Sequence, residues 1–331
     1  MLDPNKPRIL VALGGRSRER EISIASGRQV AETLDRAGYP TSLLDIGTGR
    51  LLQLPELETI EKDYRKLPEV MNLPLTDIKR HFSLVFIAMH GRFGEDGGLQ
   101  SILEEISVKY TGSRPLASAL AMDKKFTKKI IKAAGIPTAQ FQIIKNSEPQ
   151  TPNLKIPFPV ILKPTDQGSS IGVAICENEA DYRHEIKNIL ASHHEVLVEP
   201  YLGQKELTVA ILENKEGQPE PLPPIEIVPQ SKLFDYRAKY SGTTAEIIPA
   251  RFPKETLQEA QKLALLTYQE LGCRHFARVD MMIDKNNRIQ VLELNTIPGL
   301  TKESLLPKAC RAAGLSFTTL VERLIRLSLN R

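Results

Sequence analysis

The chain has 331 residues, of which 41% are hydrophobic and 25% are charged, and its formal net charge is +4. This composition is ordinary for a globular enzyme with two or three domains, and the charge is too small to indicate a nucleic-acid partner. The three cysteines, Cys176, Cys273 and Cys310, are widely spaced without a CxxC pair, which argues against structural zinc and favours a reducing compartment. Neither a membrane-spanning run nor a signal-peptide pattern is present, so we expect a cytoplasmic protein with no membrane partner.

An apolar run at residues 8–13 predicts a buried strand that ends at Gly14-Gly15. The loop GGRSRERE (residues 14–21) and a helix follow, which makes a strand, glycine turn and helix unit of the α/β kind. The loop lacks the GxGxxG spacing, so it is only a weak indication of a dinucleotide site. Glu19 in this loop has two interpretations: a carboxylate that faces an amine at a strand end, or a helix-start charge favoured by the helix dipole.

A second strong apolar run, residues 82–89, predicts a central strand that ends in the loop HGRFGEDGG (residues 90–98). His90 begins this loop and is either a structural histidine or a site residue. Ligand sites in open α/β sheets lie outside the carboxyl ends of strands. We therefore expect the loops 14–21 and 90–98 to share a crevice.

Residues 115–134 predict two short helices that are broken near Asp123, which is a plausible N-cap. Lys124 then lies in the first helical turn, where the helix dipole disfavours a cation. A nearby anion would offset that cost. The alternative is a solvated basic face made with the lysines that follow, Lys125, Lys128, Lys129 and Lys132.

A strand at residues 158–163 ends in Lys163 and leads into a loop of Gly, Ser and Thr at residues 164–172. Backbone N–H groups of such a loop can fold over phosphates, and Lys163 would add a fixed positive charge. The loop is not a Walker loop, because the pattern GxxxxGK[ST] is absent. A later polar stretch, residues 229–245, is long for a loop inside a compact domain and suggests a lid.

The hairpin of residues 276–295 contains the strongest chemical signal. Alternation predicts two strands about a turn at residues 284–287, and folding them together brings Asp280 opposite Glu293. Like charges that face each other across a sheet destabilise it, which makes sense if a cation lies between them. With the Asn295 amide they form a hard oxygen set that suits Mg²⁺ or Mn²⁺, and Mg²⁺ implies a nucleotide because it commonly bridges phosphates. The alternative is a solvated surface hairpin, against which the apolar neighbours argue.

Together these segments resemble the ATP-grasp superfamily and, within it, the D-alanine–D-alanine ligases. The resemblance covers nearly the whole chain, and its motifs occur in the family's order: GGRSRERE at 14, MHGRFGEDG at 89, TGSRPLASALAMDK at 111, KPTDQGSSIG at 163, DYRAKY at 235, RVD at 278, ELNTIPG at 293 and ESLLP at 303. The resemblance implies a three-domain α/β ATP-grasp fold. An N-terminal Rossmann-like, substrate-binding domain would span residues 1–115, and two ATP-grasp subdomains would span 116–203 and 204–331, the second with the lid 229–245.

The resemblance also implies roles for particular residues. The ATP-binding set would be Lys124, Lys163, Ser169, Glu199, Pro200, Tyr201, Leu202, Glu206 and Lys239. Two Mg²⁺ or Mn²⁺ ions would be held by Asp280, Glu293 and Asn295. The substrate-binding set would be Glu19, facing the ammonium group of the first D-alanine, with His90, Arg278, Ser304 and Leu305. The catalytic set would be Arg278 and the Gly299 amide at the oxyanion, with Glu19, Ser169 and Tyr240 closing the lid.

The activity that the resemblance implies is ATP-dependent ligation of two D-alanines for peptidoglycan precursor synthesis, through an acyl phosphate, by a homodimer. Two residues depart from the family's pattern: Gln167 replaces the usual Glu, and Glu303 replaces the usual His beside the acceptor site. Tyr240 favours a dipeptide product. The alternatives are a ligase with another acceptor, such as D-lactate or D-serine, and a nucleotide-binding regulator without catalysis.

Overall fold

The computed structural model describes residues 3, 5–68, 71–146, 154–166, 168, 172–203, 205–228 and 244–330. Strands within these ranges form three sheets. Predictions that concern Gln167, Ser169, Lys239, Tyr240 and most of the segment 229–245 lie outside the described residues. None of the helices within the described ranges is long and apolar enough to cross a membrane.

The helices alternate with strands in the first third of the chain and close the chain at its end. They are α1 (Arg20–Arg36), α2 (Leu75–His81), α3 (Gly98–Glu105), α4 (Pro115–Met122), α5 (Lys124–Ala133), α6 (Glu179–Leu190), α7 (Lys254–Glu270), α8 (Leu305–Ala312) and α9 (Phe317–Leu329). The break between α4 and α5 confirms the prediction at Asp123, whose carboxylate accepts hydrogen bonds from the amides of Lys125 and Phe126. The helix α7 has no side-chain cap at its start, where the N-cap residue is Pro253.

The first sheet is mostly parallel, which brings the carboxyl ends of its central strands to one edge. Its strands are β1 (Ile9–Leu13), β2 (Thr41–Asp45), β3 (Arg50–Leu52), β4 (Leu84–Ile87) and β5 (Lys109–Tyr110). Their order is β3-β2-β1-β4-β5, and β3 alone among them runs antiparallel to its neighbour. Every residue of β1 and β4 is buried. Continuous apolar runs are the expected sequence of parallel strands that are covered on both faces.

The second sheet is antiparallel and has the order β6-β9-β7-β8. Its strands are β6 (Gln142–Lys145), β7 (Val160–Pro164), β8 (Ala174–Cys176) and β9 (Glu195–Pro200). Alternating burial along β7 is typical of a sheet that is covered on one face. Lys163, one residue before the end of β7, pairs with Leu197, so it lies beside the first half of β9.

The third sheet is antiparallel and contains the predicted hairpin. Its strands are β10 (Glu206–Glu213), β11 (Pro219–Pro221), β12 (Ile225–Val228), β13 (Ala245–Ile247), β14 (Phe276–Ile283) and β15 (Ile289–Asn295). Asp280 on β14 lies directly opposite Glu293 on β15, which confirms the predicted register, and a bulge follows between Asp280 and Met281. Val279, Met281 and Ile283 are buried on the opposite face, as the alternation predicts.

The end of the chain packs onto the first sheet. Leu320, Val321 and Leu324 of α9 share one hydrophobic core with the strand β1. The segment between β15 and α9 therefore runs close to the loops that follow β1 and β4. This packing places residues from both ends of the chain around one cavity.

Candidate active site

A cavity of about 460 Å³ lies between the loops after β1 and β4, the end of β15 and the start of α8. The predicted site residues that line it are Glu19, His90, Lys124, Arg278, Glu293, Asn295, Gly299, Ser304 and Leu305. Glu19 comes from the loop 14–21 and His90 from the loop 90–98, so the two loops share a crevice, as predicted from the strand ends.

Two glycines enclose the carboxylate of Glu19, which is 7% exposed. A Cβ atom on Gly91 would come within 2.5 Å of Glu19 Oε2, and one on Gly168 would come within 3.3 Å. Gly91 also has a positive φ of 74°, which favours glycine for conformational reasons. The Glu19 carboxylate therefore lies between backbone segments from two different parts of the chain.

His90 is buried and connects the first sheet to the segment after β15. Its Nδ1 donates a hydrogen bond to the Ile297 carbonyl at 3.0 Å, and its Nε2 accepts one from the Ser26 hydroxyl at 2.9 Å. This tautomer follows from the carbonyl, which can only accept. Burial lowers the pKa of His90 and outweighs the opposite effect of Glu19, so the imidazole is neutral at neutral pH. Both ring nitrogens have protein partners, which makes His90 a link between two walls of the cavity.

Glu95 also lines the cavity, and sequence reasoning missed it. Its Oε2 accepts a hydrogen bond from the Gly91 amide at 2.5 Å, while its buried Oε1 has no hydrogen-bond partner among the described residues. Burial raises the pKa of Glu95 well above its ordinary value, and the charge of Glu19 raises it further. Both effects favour the protonated, uncharged form of Glu95. Its position within the glycine-rich loop 90–98 is the sequence feature that could have identified Glu95 as a site residue.

Arg278 is held in place by two hydrogen bonds to Asp280. Arg278 Nε donates to Asp280 Oδ1 at 2.8 Å, and its terminal nitrogen donates to Oδ2 at 2.7 Å. The Thr208 hydroxyl also donates to Asp280 Oδ1, at 2.5 Å. A forked guanidinium–carboxylate pair fixes direction as well as charge. Arg278 lines the cavity while Asp280, 5% exposed, lies behind it.

Lys124 forms an ion pair with Glu293 at 2.8 Å. The helix dipole disfavours a cation in the first turn of α5, and the Glu293 carboxylate is the nearby anion that offsets this cost for Lys124. The cations beside the opposed carboxylates Asp280 and Glu293 are thus Arg278 and Lys124. Asn295 lies opposite Arg278 at the end of the same strand pair. The donor atoms are carboxylate and amide oxygens, which are those that Mg²⁺ prefers.

Six residues predicted to bind ATP lie outside the lining of this cavity: Lys163, Glu199, Pro200, Tyr201, Leu202 and Glu206. Lys163 and Glu199 form an ion pair at 3.0 Å. Burial alone would lower the pKa of Lys163, but Glu199, Glu293 and Glu206 together raise it. These charges place Lys163 near both the start of β10 and the end of β15.

The alternative of a solvated basic face on α5 does not hold at Lys128, which is fully buried. Its ammonium lies 2.5 Å from Glu199 Oε1, so Glu199 is shared by two lysines. The pKa of Glu199 is lowered, because Lys128 and Lys163 outweigh the effect of burial. The helical spacing of lysines did not reveal that one of them points inward.

The opposite end of the cavity is built around Gly299 and Ser304. A Cβ atom on Gly299 would come within 2.6 Å of Ser304 Oγ, so only glycine fits without a shift. Ser304 Oγ accepts a hydrogen bond from the Thr301 amide at 3.1 Å. Next to it, Lys308 forms ion pairs with Glu246 at 2.9 Å and with Glu303 at 3.1 Å.

Comparison with known proteins gives the family. The model described as "D-ala D-ala ligase N-terminus" matches residues 8–113, and the model described as "D-ala D-ala ligase C-terminus" matches residues 130–326. The chain belongs to the D-alanine–D-alanine ligase family. Within the family it is 41% identical to the D-alanine–D-alanine ligase of Desulforudis audaxviator. The alignment spans 329 residues and covers 98% of this chain and 99% of the relative.

Solved structures of the family agree with the fold. The D-alanine–D-alanine ligase of Coxiella burnetii superposes with a TM-score of 0.81 at 26% identity, over 98% of this chain and 94% of that one. The enzyme of Bacillus anthracis complexed with ATP superposes with a TM-score of 0.78 at 29% identity, over 98% of both chains. The three sheets are therefore those of an ATP-grasp enzyme of the D-alanine–D-alanine ligase family.

Proposed function

We propose that this protein ligates two D-alanines to D-alanyl-D-alanine, with ATP hydrolysed to ADP and phosphate, for peptidoglycan precursor synthesis. The observation that carries the proposal is one cavity lined by a carboxylate for an ammonium group (Glu19), a fixed guanidinium (Arg278) and a hydroxyl beside a close-packed glycine (Ser304 and Gly299). An amino-acid donor and an amino-acid acceptor need these groups together.

The donor half of the reaction uses the wall formed by the first sheet. Glu19 binds the ammonium group of the first D-alanine, and the pKa shifts of Glu95 and His90 beside it both favour the uncharged forms of these side chains. The D-alanine carboxylate attacks the γ-phosphorus of ATP, the bond to the β-phosphate oxygen breaks, and ADP leaves. The product is an acyl phosphate, which is a better electrophile than a carboxylate.

The acceptor half uses Arg278, Gly299, Ser304 and Leu305. Ser304 and the backbone at Leu305 bind the carboxylate of the second D-alanine. Its neutral amine attacks the acyl carbon, and the negative charge on the carbonyl oxygen is stabilised by Arg278 and the Gly299 amide. The intermediate expels phosphate and loses one proton to form the peptide bond. Because Asp280 already fixes the guanidinium, Arg278 needs no reorganisation in this step.

ATP occupies the region between the second and third sheets. Lys124 and Lys163 bind phosphate oxygens, the segment 199–202 frames the adenine, and Glu206 binds the ribose hydroxyls. To reach a phosphate, Lys124 exchanges its Glu293 partner for a phosphate oxygen. Three more residues are assigned by their positions in the family motifs. Lys239 binds a phosphate, and Ser169 and Tyr240 act with Glu19 in closing the lid.

Asp280, Glu293 and Asn295 fit one or two Mg²⁺ or Mn²⁺ ions by donor type. Among the described residues no group of three or more His, Cys, Asp or Glu side chains could hold a metal by itself. That agrees with the usual Mg²⁺ site, where one or two carboxylates act together with substrate phosphates. The ion would neutralise charge on the transferred phosphoryl group.

Three further assignments belong to the same proposal. The chain divides into a substrate-binding domain at residues 1–115 and ATP-grasp subdomains at 116–203 and 204–331, with the lid at 229–245. The enzyme acts as a cytoplasmic homodimer. Its reaction needs only small-molecule substrates, so no nucleic acid or membrane takes part.

The test is D-alanine-dependent ADP release with ATP and Mg²⁺, with the product identified by mass spectrometry and with D-lactate and D-serine as competing acceptors. D-alanyl-D-alanine as the main product supports the proposal. A mixed product directs attention to Glu303, and ATP binding without turnover would favour a non-catalytic regulator. Wild-type ADP release by Glu293→Ala would overturn the metal assignment.

A further inference from the structure

A buried lysine that the proposed mechanism does not use lies behind the ATP-binding residues. Lys128 is on α5, four residues after Lys124, and its side chain is 0% exposed. Lysine is almost never fully buried unless its charge is paired, because desolvation of an ammonium is costly. We therefore expect Lys128 to have an oppositely charged partner and hydrogen-bond acceptors inside the protein.

The surroundings of Lys128 match an ammonium group. Its Nζ lies 2.5 Å from Glu199 Oε1 and donates hydrogen bonds to Thr138 Oγ1 at 2.6 Å and to the Val291 carbonyl at 3.2 Å. An ammonium has three N–H groups and accepts none, so Thr138 and Val291 accept two hydrogen bonds while Glu199 supplies the opposite charge in an ion pair. Burial lowers the pKa of Lys128, and the charge of Glu199 opposes that effect.

Glu199 is shared between two lysines, one on each oxygen. Lys128 contacts Oε1, and Lys163 contacts Oε2 at 3.0 Å. Two ammonium groups thus face one carboxylate. The two lysines differ in access, since the side chain of Lys163 is 15% exposed and that of Lys128 is fully enclosed. Only Lys163 can reach a ligand.

We propose that Lys128 is a positioning residue, which shares the charge of Glu199 and so leaves the ammonium of Lys163 available to an ATP phosphate. Without Lys128, Glu199 would have Lys163 as its one close cation and would hold it more tightly. Lys128 also contacts Val291, two residues before Glu293, and so fixes the distance between β9 and β15. The inference rests on the proposed role of Lys163.

The competing explanation is that Lys128 only ties α5 to the two sheets. The two explanations differ in how a second substitution acts. If Lys128 serves to balance Glu199, then removal of the Glu199 charge restores a free Lys163. If Lys128 is only a structural tie, removal of a second buried contact increases the loss.

The experiment compares Lys128→Met, Glu199→Gln, the double variant of these two substitutions, and Lys129→Met as matched control. Lys129 is the next lysine of the same helix and is exposed, so its replacement tests the loss of a charge without the buried contact. The readouts are the ATP dissociation constant by calorimetry, the KM values for ATP and for D-alanine, and urea denaturation of each variant.

We expect Lys128→Met to weaken ATP binding by about tenfold to a hundredfold, the range of a hydrogen bond to a charged group. The KM for D-alanine should change far less. Because Glu199 itself belongs to the ATP-binding set, the double variant is compared with Glu199→Gln alone, and the two should bind ATP with equal affinity. Since the double variant leaves no unpaired buried carboxylate, it also serves if Lys128→Met folds poorly. Weaker ATP binding by the double variant than by Glu199→Gln alone, or wild-type ATP affinity in Lys128→Met, would overturn the proposal.

Failure of the inference can be separated from failure of the proposed function. ATP binding is measured without D-alanine, so it does not depend on the acceptor or on turnover. Lys163→Met provides the reference: if this variant binds ATP like the wild type, the assignment of Lys163 is wrong. If Lys163→Met loses ATP affinity and Lys128→Met does not, the role of Lys128 alone is wrong.

Discussion

Two buried ion-pair clusters in this protein differ in their balance of charge. In the first sheet, Arg20 donates two hydrogen bonds to Asp45, at 2.7 and 2.8 Å, and both residues are 1% exposed. Two further N–H groups of Arg20 donate to the carbonyls of Glu61 and Gly15. In the second cluster, Lys128 and Lys163 share Glu199.

The difference separates a structural pair from a functional one. The charges of Arg20 and Asp45 cancel, and neither side chain is exposed, so this pair can only fix the glycine turn against the end of β2. In the other cluster Glu199 contacts two lysines directly, and one of them, Lys163, is partly exposed. A buried pair with cancelled charges points to stability, whereas an unbalanced cluster beside an opening points to a charged ligand.

Asp45→Asn should give the largest effect on stability. Removal of one partner leaves Arg20 buried and unpaired, which typically lowers the free energy of unfolding by about 3–5 kcal/mol. Urea denaturation measures this loss, and calorimetry at a temperature where the variant is folded should give an unchanged ATP dissociation constant. A weakened ATP affinity would contradict the division between the two clusters.

Arg278→Lys tests a pair that is balanced but faces the cavity. Lysine cannot reproduce the forked contact with Asp280 or the fixed direction of the guanidinium. We expect kcat to fall about 10²–10³-fold, the usual cost of one lost oxyanion donor, with little change in ATP affinity. Steady-state kinetics and calorimetry check this, and a kcat near that of the wild type would remove Arg278 from the acyl-transfer step.

Glu95→Gln tests whether the buried side chain of Glu95 is protonated or ionised in the folded protein. The pKa of Glu95 is raised in the folded protein, so its contribution is complete below the unfolded pKa of about 4.3 and is lost as the pH rises toward the folded pKa. In that window the wild type should lose about 1.4 kcal/mol of stability per pH unit relative to Glu95→Gln. Denaturation of both proteins between pH 5 and pH 8 measures the difference, and parallel pH profiles would show that Glu95 is ionised.

Glu303→His should give the smallest effect. Glu303 is exposed, and its ion partner Lys308 keeps Glu246 as a second carboxylate. Exposed ion pairs contribute little, so we expect the ratio of D-alanine to D-lactate products to change within about fivefold. Competition assays with mass spectrometry give this ratio. A larger change would make Glu303 a determinant of acceptor choice.

Much of the fold and part of the site followed from the sequence. Apolar runs located β1 and β4, and the alternation on both sides of residues 284–287 fixed the register that places Asp280 opposite Glu293. Short strands such as β5 and β6 and the helix α3 were not predicted. They are two, four and eight residues long, and segments of this size have weak patterns of their own.

The sequence by itself determined the local chemistry: which loops follow buried strands, which carboxylates face each other in a hairpin, and which motifs occur in the family's order. Only the tertiary structure decided where the buried charges lie. The spacing of lysines on α5 predicts a solvated face, yet Lys128 is enclosed because β9 and β15 pack against it and supply Glu199 and Val291. The pKa of Glu95 is raised for a similar reason, since its burial and its closeness to Glu19 depend on the packing of separate loops. Packing decides which charges from distant segments pair, so these pairs cannot be predicted from a local sequence pattern.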